Sequence, residues 1–442
     1  ILANSGDGTM KRVWLALALI GLNLPNYADA QESAIEEFAV SGIRVIYKPI
    51  AANEVIAVRL YLTGGSANLT PETAGIERFI ADVAPRGTDS YTKEELATRL
   101  ASTGTQINAQ ATFDFTVVTL QAIAGHWDTA WDLFTQTVLH PTFPEAEVEL
   151  ARQQIVNQLR SRQDNPDAYL NLLANDLFYS GHAYANDPTG AVEAVEGLTR
   201  EDLMRWHRER MTKENLVFVV VGHVSREDLA EKIASAFGAL PAEGGTSHPA
   251  SSVEAGPPDL EIVERELPTN YIRGQFSTPA PGHPDYPAMR VATDILRDRL
   301  FEEVRTKRNL SYAVTAGLSS RQANYGMIYV TAVEPDTTLK VMLHEVDRMA
   351  HEPVSPERLR ENISEFVTRY WIGQETNMGQ AASLGSSELV AGSWEHAIQF
   401  AEAVQEVTPQ DVQRVVSEYI NNIHFVVLGD PTKIDRTLFT SR

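Results

Sequence analysis

The chain has 442 residues, 43% of them hydrophobic, enough for a large core and about two to four domains. It has no cysteine, which excludes disulfides, thiolate metal sites and thiol nucleophiles. Its 37 Lys and Arg against 59 Asp and Glu give a formal charge of −22, which repels phosphate backbones and anionic membranes and excludes nucleic acid as an expected partner.

In chain order, the first feature is an export pattern. Met10 is followed by Lys11 and Arg12, by an apolar run at 13–22, and by Ala28-Asp29-Ala30, a small-x-small cleavage site. The run is too short for a stable membrane anchor. Residues 1–30 are therefore expected to be a non-native leader (1–9) plus a cleavable signal peptide, with a mature start near Gln31 and a periplasmic destination.

Next, 55–62 alternates with Ile56, Val58, Leu60 and Leu62 on one face, which predicts a half-buried strand. The stretch 111–120 alternates in the same way and predicts another. Trp127, Trp131, Phe134 and Val138 have helical spacing, as do Leu339, Met342, Leu343, Val346 and Met349. The run Leu198-Thr199-Arg200-Glu201-Asp202-Leu203 leads through a helical pattern to an apolar strand at 216–221 and Gly222. Val407-Thr408-Pro409-Gln410-Asp411-Val412 leads likewise to 425–428 and Gly429. His140-Pro141-Thr142-Phe143-Pro144-Glu145 and His351-Glu352-Pro353-Val354-Ser355-Pro356-Glu357 form a second matching pair, each ahead of a long helix. The chain thus reads as two copies of one domain of about 200 residues, an ordinary domain size. The Pro-, Gly-, Ser- and Glu-rich stretch 241–258 is the expected linker, between domains at 31–240 and 259–442. The expected fold is α+β: two homologous domains, each a mostly antiparallel sheet covered by helices.

Two segments could carry chemistry. The first, 75–88, reads Gly-Ile-Glu-Arg-Phe-Ile-Ala-Asp-Val-Ala-Pro-Arg-Gly-Thr and is followed by Asn108-Ala109. It resembles the pitrilysin/insulinase (inverzincin) family of zinc peptidases. There a helix carries His-x-x-Glu-His ahead of Gly-Thr, an Asn-Ala strand comes later, and a further helix gives a third ligand. In that arrangement positions i and i+4 share a helix face and hold zinc, while the Glu activates its water. The resemblance puts Arg78 and Asp82 at the histidine positions, Ala81 at the general base and Gln158 at the third ligand. A guanidinium cannot ligate zinc, and alanine cannot activate water. Arg78 and Asp82 instead form an i, i+4 charge pair that can fill the metal's place. No His-x-x-Glu-His or His-Glu-x-x-His occurs among the eleven histidines. His182 and His223 are read as structural.

The second segment is Leu300-Phe301-Glu302-Glu303-Val304-Arg305 with Asn309-Leu310-Ser311-Tyr312. It resembles the family segment whose Arg and Tyr reach a catalytic site formed by another domain. Asn309 is expected to close a helix and Tyr312 to open a strand. The resemblance implies a non-catalytic subunit of a bacterial two-chain peptidase. Such a chain holds no metal and does not hydrolyse peptides alone. It pairs with a homologous subunit that carries zinc in an intact His-x-x-Glu-His, closes with it like a clamshell on an unfolded peptide, and supplies Arg305 and Tyr312. The strand at Asn108 and Ala109 is a further place where peptide could pair. The alternatives are a non-enzymatic scaffold or a chaperone-like peptide binder, and, behind these, a hydrolase with an unrecognised site.

Overall fold

The computed structural model describes residues 34–442 apart from Thr246 and His248. The export signal and its cleavage site lie outside the described residues. The first half runs β1 (Glu36–Val40), β2 (Ile43–Pro49), β3 (Val55–Thr63), α1 (Ile76–Val83), α2 (Lys93–Thr103), β4 (Gln106–Ala111), β5 (Phe115–Ile123), α3 (Trp127–Leu139), α4 (Glu145–Ser161), α5 (Pro166–Phe178), α6 (Val192–Gly197), α7 (Arg200–Arg210), β6 (Leu216–Gly222) and α8 (Arg226–Phe237). The second half runs β7 (Asp259–Glu264), β8 (Asn270–Ser277), α9 (Tyr286–Leu300), a π-helix (Phe301–Lys307), β9 (Val314–Leu318), β10 (Tyr325–Ala332), α10 (Pro335–His351), α11 (Pro356–Gly373), α12 (Asn377–Ser386), α13 (His396–Gln405), α14 (Pro409–Tyr419), β11 (His424–Gly429) and α15 (Arg436–Phe439).

The fold is α+β, with two mostly antiparallel sheets. The first has the order β1-β2-β6-β3-β5-β4 and the second β7-β11-β8-β10-β9. Without β1 the two orders coincide strand for strand. Each sheet also contains a single parallel pair, β2 with β6 and β7 with β11. The duplication extends to the helix starts. Thr199 caps α7 and Thr408 caps α14, each in a capping box closed by an Asp three residues on.

Both faces of the sheets are apolar, because alternate side chains of a strand point to opposite sides. On one face of the first sheet, Val58, Leu60, Phe218 and Val220 pack with Trp131, Phe134, Ile233 and Phe237 from α3 and α8. On the other, Ala57, Tyr61, Val117, Val219 and Val221 pack with Ala381 and Leu384 of α12, which belongs to the second half. The exchange is mutual: Leu170 and Ala174 of α5 pack with Val426 and Leu428 of β11. Each half thus covers one face of the other's sheet with the helix that follows its long helix. Ile35–Arg442 forms one compact unit.

The segment 241–258 contains no helix or strand among its described residues, yet it is fastened at both ends. Lys213 N donates to Pro241 O at 2.9 Å and Arg210 Nη1 to Gly245 O at 2.6 Å. Further on, Ala250 N donates to Gln322 Oε1 at 2.8 Å and Ala255 N to Ser277 Oγ at 2.9 Å. Among the described residues no helix is long and apolar enough to cross a membrane.

One strand boundary differs from the sequence reading. The stretch 111–120 is not a single strand but the end of β4, a turn, and the start of β5. Thr112 makes the turn: its Oγ1 accepts from Asp114 N at 3.3 Å and Phe115 N at 3.1 Å, and its N–H bonds Phe115 O at 2.9 Å.

The helix exchange makes a stability prediction. A Cβ on Gly385 of α12 would lie 2.2 Å from the Tyr61 ring of β3, whereas one on Gly373 would meet nothing within 4 Å. Gly385→Val is expected to destabilise the fold by about 1–3 kcal/mol, the usual cost of overpacking. Gly373→Ala should be near neutral. Thermal unfolding should remain a single transition, and two separated transitions in Gly385→Val would show that the halves fold independently.

Candidate functional site

Helix α1 is short and strongly two-sided. Ile76, Phe79 and Val83 are buried in a cluster with Ile155, Val156 and Leu159 of α4. Gly75 ahead of it has φ 90, and a Cβ there would come 2.5 Å from Gly190 Cα, so only glycine lets the helix start so close to the loop before α6. This packing sets the positions of the polar side chains on α1.

The structure brings Arg78, Asp82 and Gln158 together. Arg78 donates from Nη2 to Gln158 Oε1 and from Nη1 to Thr189 O at 3.2 Å, and its Nε lies 3.8 Å from Asp82 Oδ2. Arg86, just after α1, continues the network. It donates to Asp82 O at 2.8 Å and Gln154 Oε1 at 2.9 Å, and reaches Glu147 at 3.4 Å. Burial pulls the Arg78 guanidinium below its ordinary range, and the Asp82 charge opposes this. Burial likewise pushes the Asp82 carboxyl up, against the pull of Arg78 and Arg86.

These residues do not fit zinc. A guanidinium has no lone pair to give, and Ala81 presents a methyl group. The Gln158 oxygen already accepts from Arg78. That leaves one carboxylate, short of the three protein ligands of a catalytic zinc site. Among the described residues, no group of three or more His, Asp or Glu could hold a metal ion. The second half has a comparable cluster on the corresponding helix. Asp294 of α9 is buried, with Arg290 Nη2 at 3.3 Å, Arg297 Nη1 at 2.6 Å and Arg369 Nη2 of α11 at 3.6 Å.

Asn108 and Ala109 lie on β4, an edge strand that among the described residues pairs only with β5. Both are exposed. Beside them a small cavity of about 80 Å³ is lined mainly by apolar groups, among them Ala81, Pro85, Ile107 and Val118. Its floor holds the buried Glu77, which accepts from Thr116 Oγ1 at 2.6 Å and whose carboxyl is pushed up by burial.

Arg305 lies in the π-helix that continues α9 without a break. Asn309 ends it in the left-handed region, φ 52, with its N–H on Arg305 O at 3.2 Å, while Leu310 N bonds Val304 O at 2.9 Å. Tyr312 does not open the next strand as the sequence reading expects, because β9 begins at Val314. Ser311 curls the chain instead, its Oγ accepting from Ala313 N at 3.1 Å and donating to Ala313 O at 3.0 Å. Tyr312 is left 80% exposed, and Arg305 Cζ lies 4.1 Å from the centre of its ring. The sequence reading does not single out Phe301, whose ring centre is 4.8 Å from the same Cζ. Its only signal is an i, i+4 spacing from Arg305. His182 stays within the local fold: Nδ1 accepts from Tyr184 N and Nε2 faces Ser251 O, each at 3.0 Å.

Residues 44–188 match the family model described as Insulinase (Peptidase family M16), and residues 197–366 match that of the Peptidase M16 inactive domain. An uncharacterized zinc protease of Mycobacterium leprae (strain TN) is 23% identical over 410 residues, 90% of this chain and 92% of the relative. Among solved structures, the peptidase M16 inactive domain from Pseudomonas fluorescens is similar with a TM-score of 0.82 at 21% identity, covering 90% of this chain and 98% of that chain. The periplasmic protease PqqL from Escherichia coli is similar with a TM-score of 0.77 at 15% identity, covering 91% of this chain and 47% of that one.

If Arg78, Ala81, Asp82 and Gln158 stand where a metal's ligands and base would, restoring them should restore binding. The variant Arg78→His, Ala81→Glu, Asp82→His, Gln158→Glu is expected to retain one zinc per chain after dialysis, by elemental analysis. A folded variant that retains none would show that the four positions do not converge on a metal geometry.

Proposed function

Because the chain belongs to the M16 peptidase family, of the insulinase type, we propose that it is a metal-free subunit of a two-chain zinc peptidase, supplying Arg305 and Tyr312 to its partner's active site. The observation that carries this reading is a contrast between two arginines. Arg78 is tied into the fold by hydrogen bonds where zinc ligands would be needed. Arg305 stands beside an exposed tyrosine and makes no side-chain hydrogen bond or ion pair among the described residues.

On this reading the partner is a homologous chain with an intact His-x-x-Glu-His, and it brings the zinc and the water that attacks the peptide. This chain's share is recognition. The Arg305 guanidinium can hold a substrate carbonyl oxygen with more than one N–H donor. The Tyr312 hydroxyl can donate to the oxygen that gains charge as the carbonyl carbon becomes tetrahedral. Unfolded peptides are the substrates, since an extended chain can lie between two closing subunits. The leader pattern at 10–30 and the likeness to PqqL, described as a periplasmic protease, support work in the periplasm.

A second reading has its own observation. The free edge of β4 beside an apolar cavity suits an extended peptide that pairs with the strand and buries a side chain. That favours a chaperone-like peptide binder if no metal-bearing partner exists.

The test is reconstitution. The pure chain is expected to contain no zinc and cleave no peptide, while mixing with the metal-bearing subunit gives activity. In that pair Tyr312→Phe should lower kcat about 10²-fold, the size of one lost oxyanion donor, without changing assembly. Full activity from the pure chain would refute the division of labour, and unchanged turnover in Tyr312→Phe would remove that residue from the mechanism.

A further inference from the structure

We propose that Phe301 is a positioning residue that holds the Arg305 guanidinium ready for a peptide carbonyl. This rests on the reading of Arg305 and Tyr312 as the substrate-binding pair.

Three observations carry it. The first is the placement of two rings on one cation. Arg305 Cζ lies 4.8 Å from the Phe301 ring centre and 4.1 Å from that of Tyr312, both within reach of a cation–π contact. Such contacts hold the guanidinium by its planar face, so its N–H edges remain available to donate in the plane.

The second is the local distribution of charge. Arg305 has two carboxylates close by in sequence, Glu302 and Glu303, yet pairs with neither. Lys307 Nζ takes both, at 2.9 Å from Glu302 and 2.6 Å from Glu303, and Arg308 bonds Glu303 as well. Those hydrogen bonds drag the Glu303 carboxyl down to about 2, so it stays charged and committed to Lys307 and Arg308. Lys307 and Arg308, which follow Arg305, thus absorb the competing anions and leave Arg305 to the rings.

The third is backbone geometry. The turn that carries Phe301 and Arg305 is a π-helix, a rare form that recurs at functional sites. Phe301 is 45% exposed at its start. A lone exposed phenylalanine is ordinary on a protein surface. One that shares a cation with an exposed tyrosine, on a helix turn of unusual pitch, has a specific use.

The experiment has two arms. In the chain alone, labelled with ¹³C,¹⁵N-arginine, the Arg305 side-chain resonances should show a ring-current shift that Phe301→Ala reduces and Phe301→Tyr keeps. In the complex with the metal-bearing subunit, Phe301→Ala should lower kcat/KM for a peptide about fivefold, the size of an exposed cation–π contact, mainly by raising KM. Phe301→Tyr should restore it. A Phe301→Ala chain whose Arg305 resonances do not move, or whose kcat/KM is unchanged while Arg305→Ala is impaired, would overturn this proposal alone. Unchanged turnover in Arg305→Ala itself would overturn the underlying reading of the pair, and this inference with it.

Discussion

The hydrogen bonds of Arg78 fix what the first half can and cannot do. One guanidinium joins three separate pieces of chain: the α1 helix that carries it, Gln158 on α4, and the backbone of Thr189 ahead of α6. The apolar stripe of Ile76, Phe79 and Val83 supplies most of the packing energy, since burying each such side chain contributes about 1.5–3 kcal/mol. The ion pair with Asp82 adds little, because Asp82 is 42% exposed and the separation is 3.8 Å. What the guanidinium contributes is exclusion. Removing it would leave the half-buried Thr189 carbonyl short of a donor, at a cost of about 1–3 kcal/mol, while the exposed Gln158 oxygen would turn to water. With it in place, the one remaining oxygen ligand, Asp82, faces a positive charge.

The second half solves a related problem in the same position. Asp294 is surrounded by Arg290, Arg297 and Arg369 on the helices that correspond to α1 and α4. In both halves an i, i+4 Arg–Asp pair on the first helix is joined to the second helix by a further contact, Arg78 to Gln158 in one and Asp294 to Arg369 in the other. The halves are also bound to each other. α5 and α12 occupy equivalent places in the duplicated chain, and each closes the open face of the other half's sheet. A half taken alone would expose that face, so duplication here is a condition of stability as well as a trace of ancestry.

Much of this was legible in the sequence. The repeat was visible because the features that mark it are local: capping boxes at Thr199 and Thr408, Pro-Glu helix starts, and apolar strands ending at Gly222 and Gly429. The resemblance puts Arg78, Asp82 and Gln158 at one place, and α1 and α4 pack so that Arg78 meets both of the others. The helix exchange was not legible, because periodicity tells which side of α12 is apolar but not which sheet it meets. The turn at Thr112 was hidden by Phe113 and Phe115, which keep the alternation running through a reversal of the chain. The place of Tyr312 was missed because a tyrosine beside β-forming residues reads as strand, and nothing one-dimensional records that the Ser311 hydroxyl bends the backbone first.

Arg78 and Arg305 are the same side chain put to opposite uses, and the difference lies in the neighbours. A guanidinium has five N–H donors in a rigid fork. Where those donors meet protein acceptors, as around Arg78, the group is a structural tie and has little left to offer a ligand. Where the nearby acceptors are claimed by other cations and the contacts are aromatic faces, as around Arg305, the donors have no protein acceptor among the described residues and, on the proposed reading, serve a ligand. Aromatic support limits the rotamer freedom that a long side chain would otherwise lose on binding, roughly 1.5–2 kcal/mol for arginine. On the proposed reading, the recognition end of the molecule is the π-helix and its loop, and the Arg78 cluster at α1 is architecture.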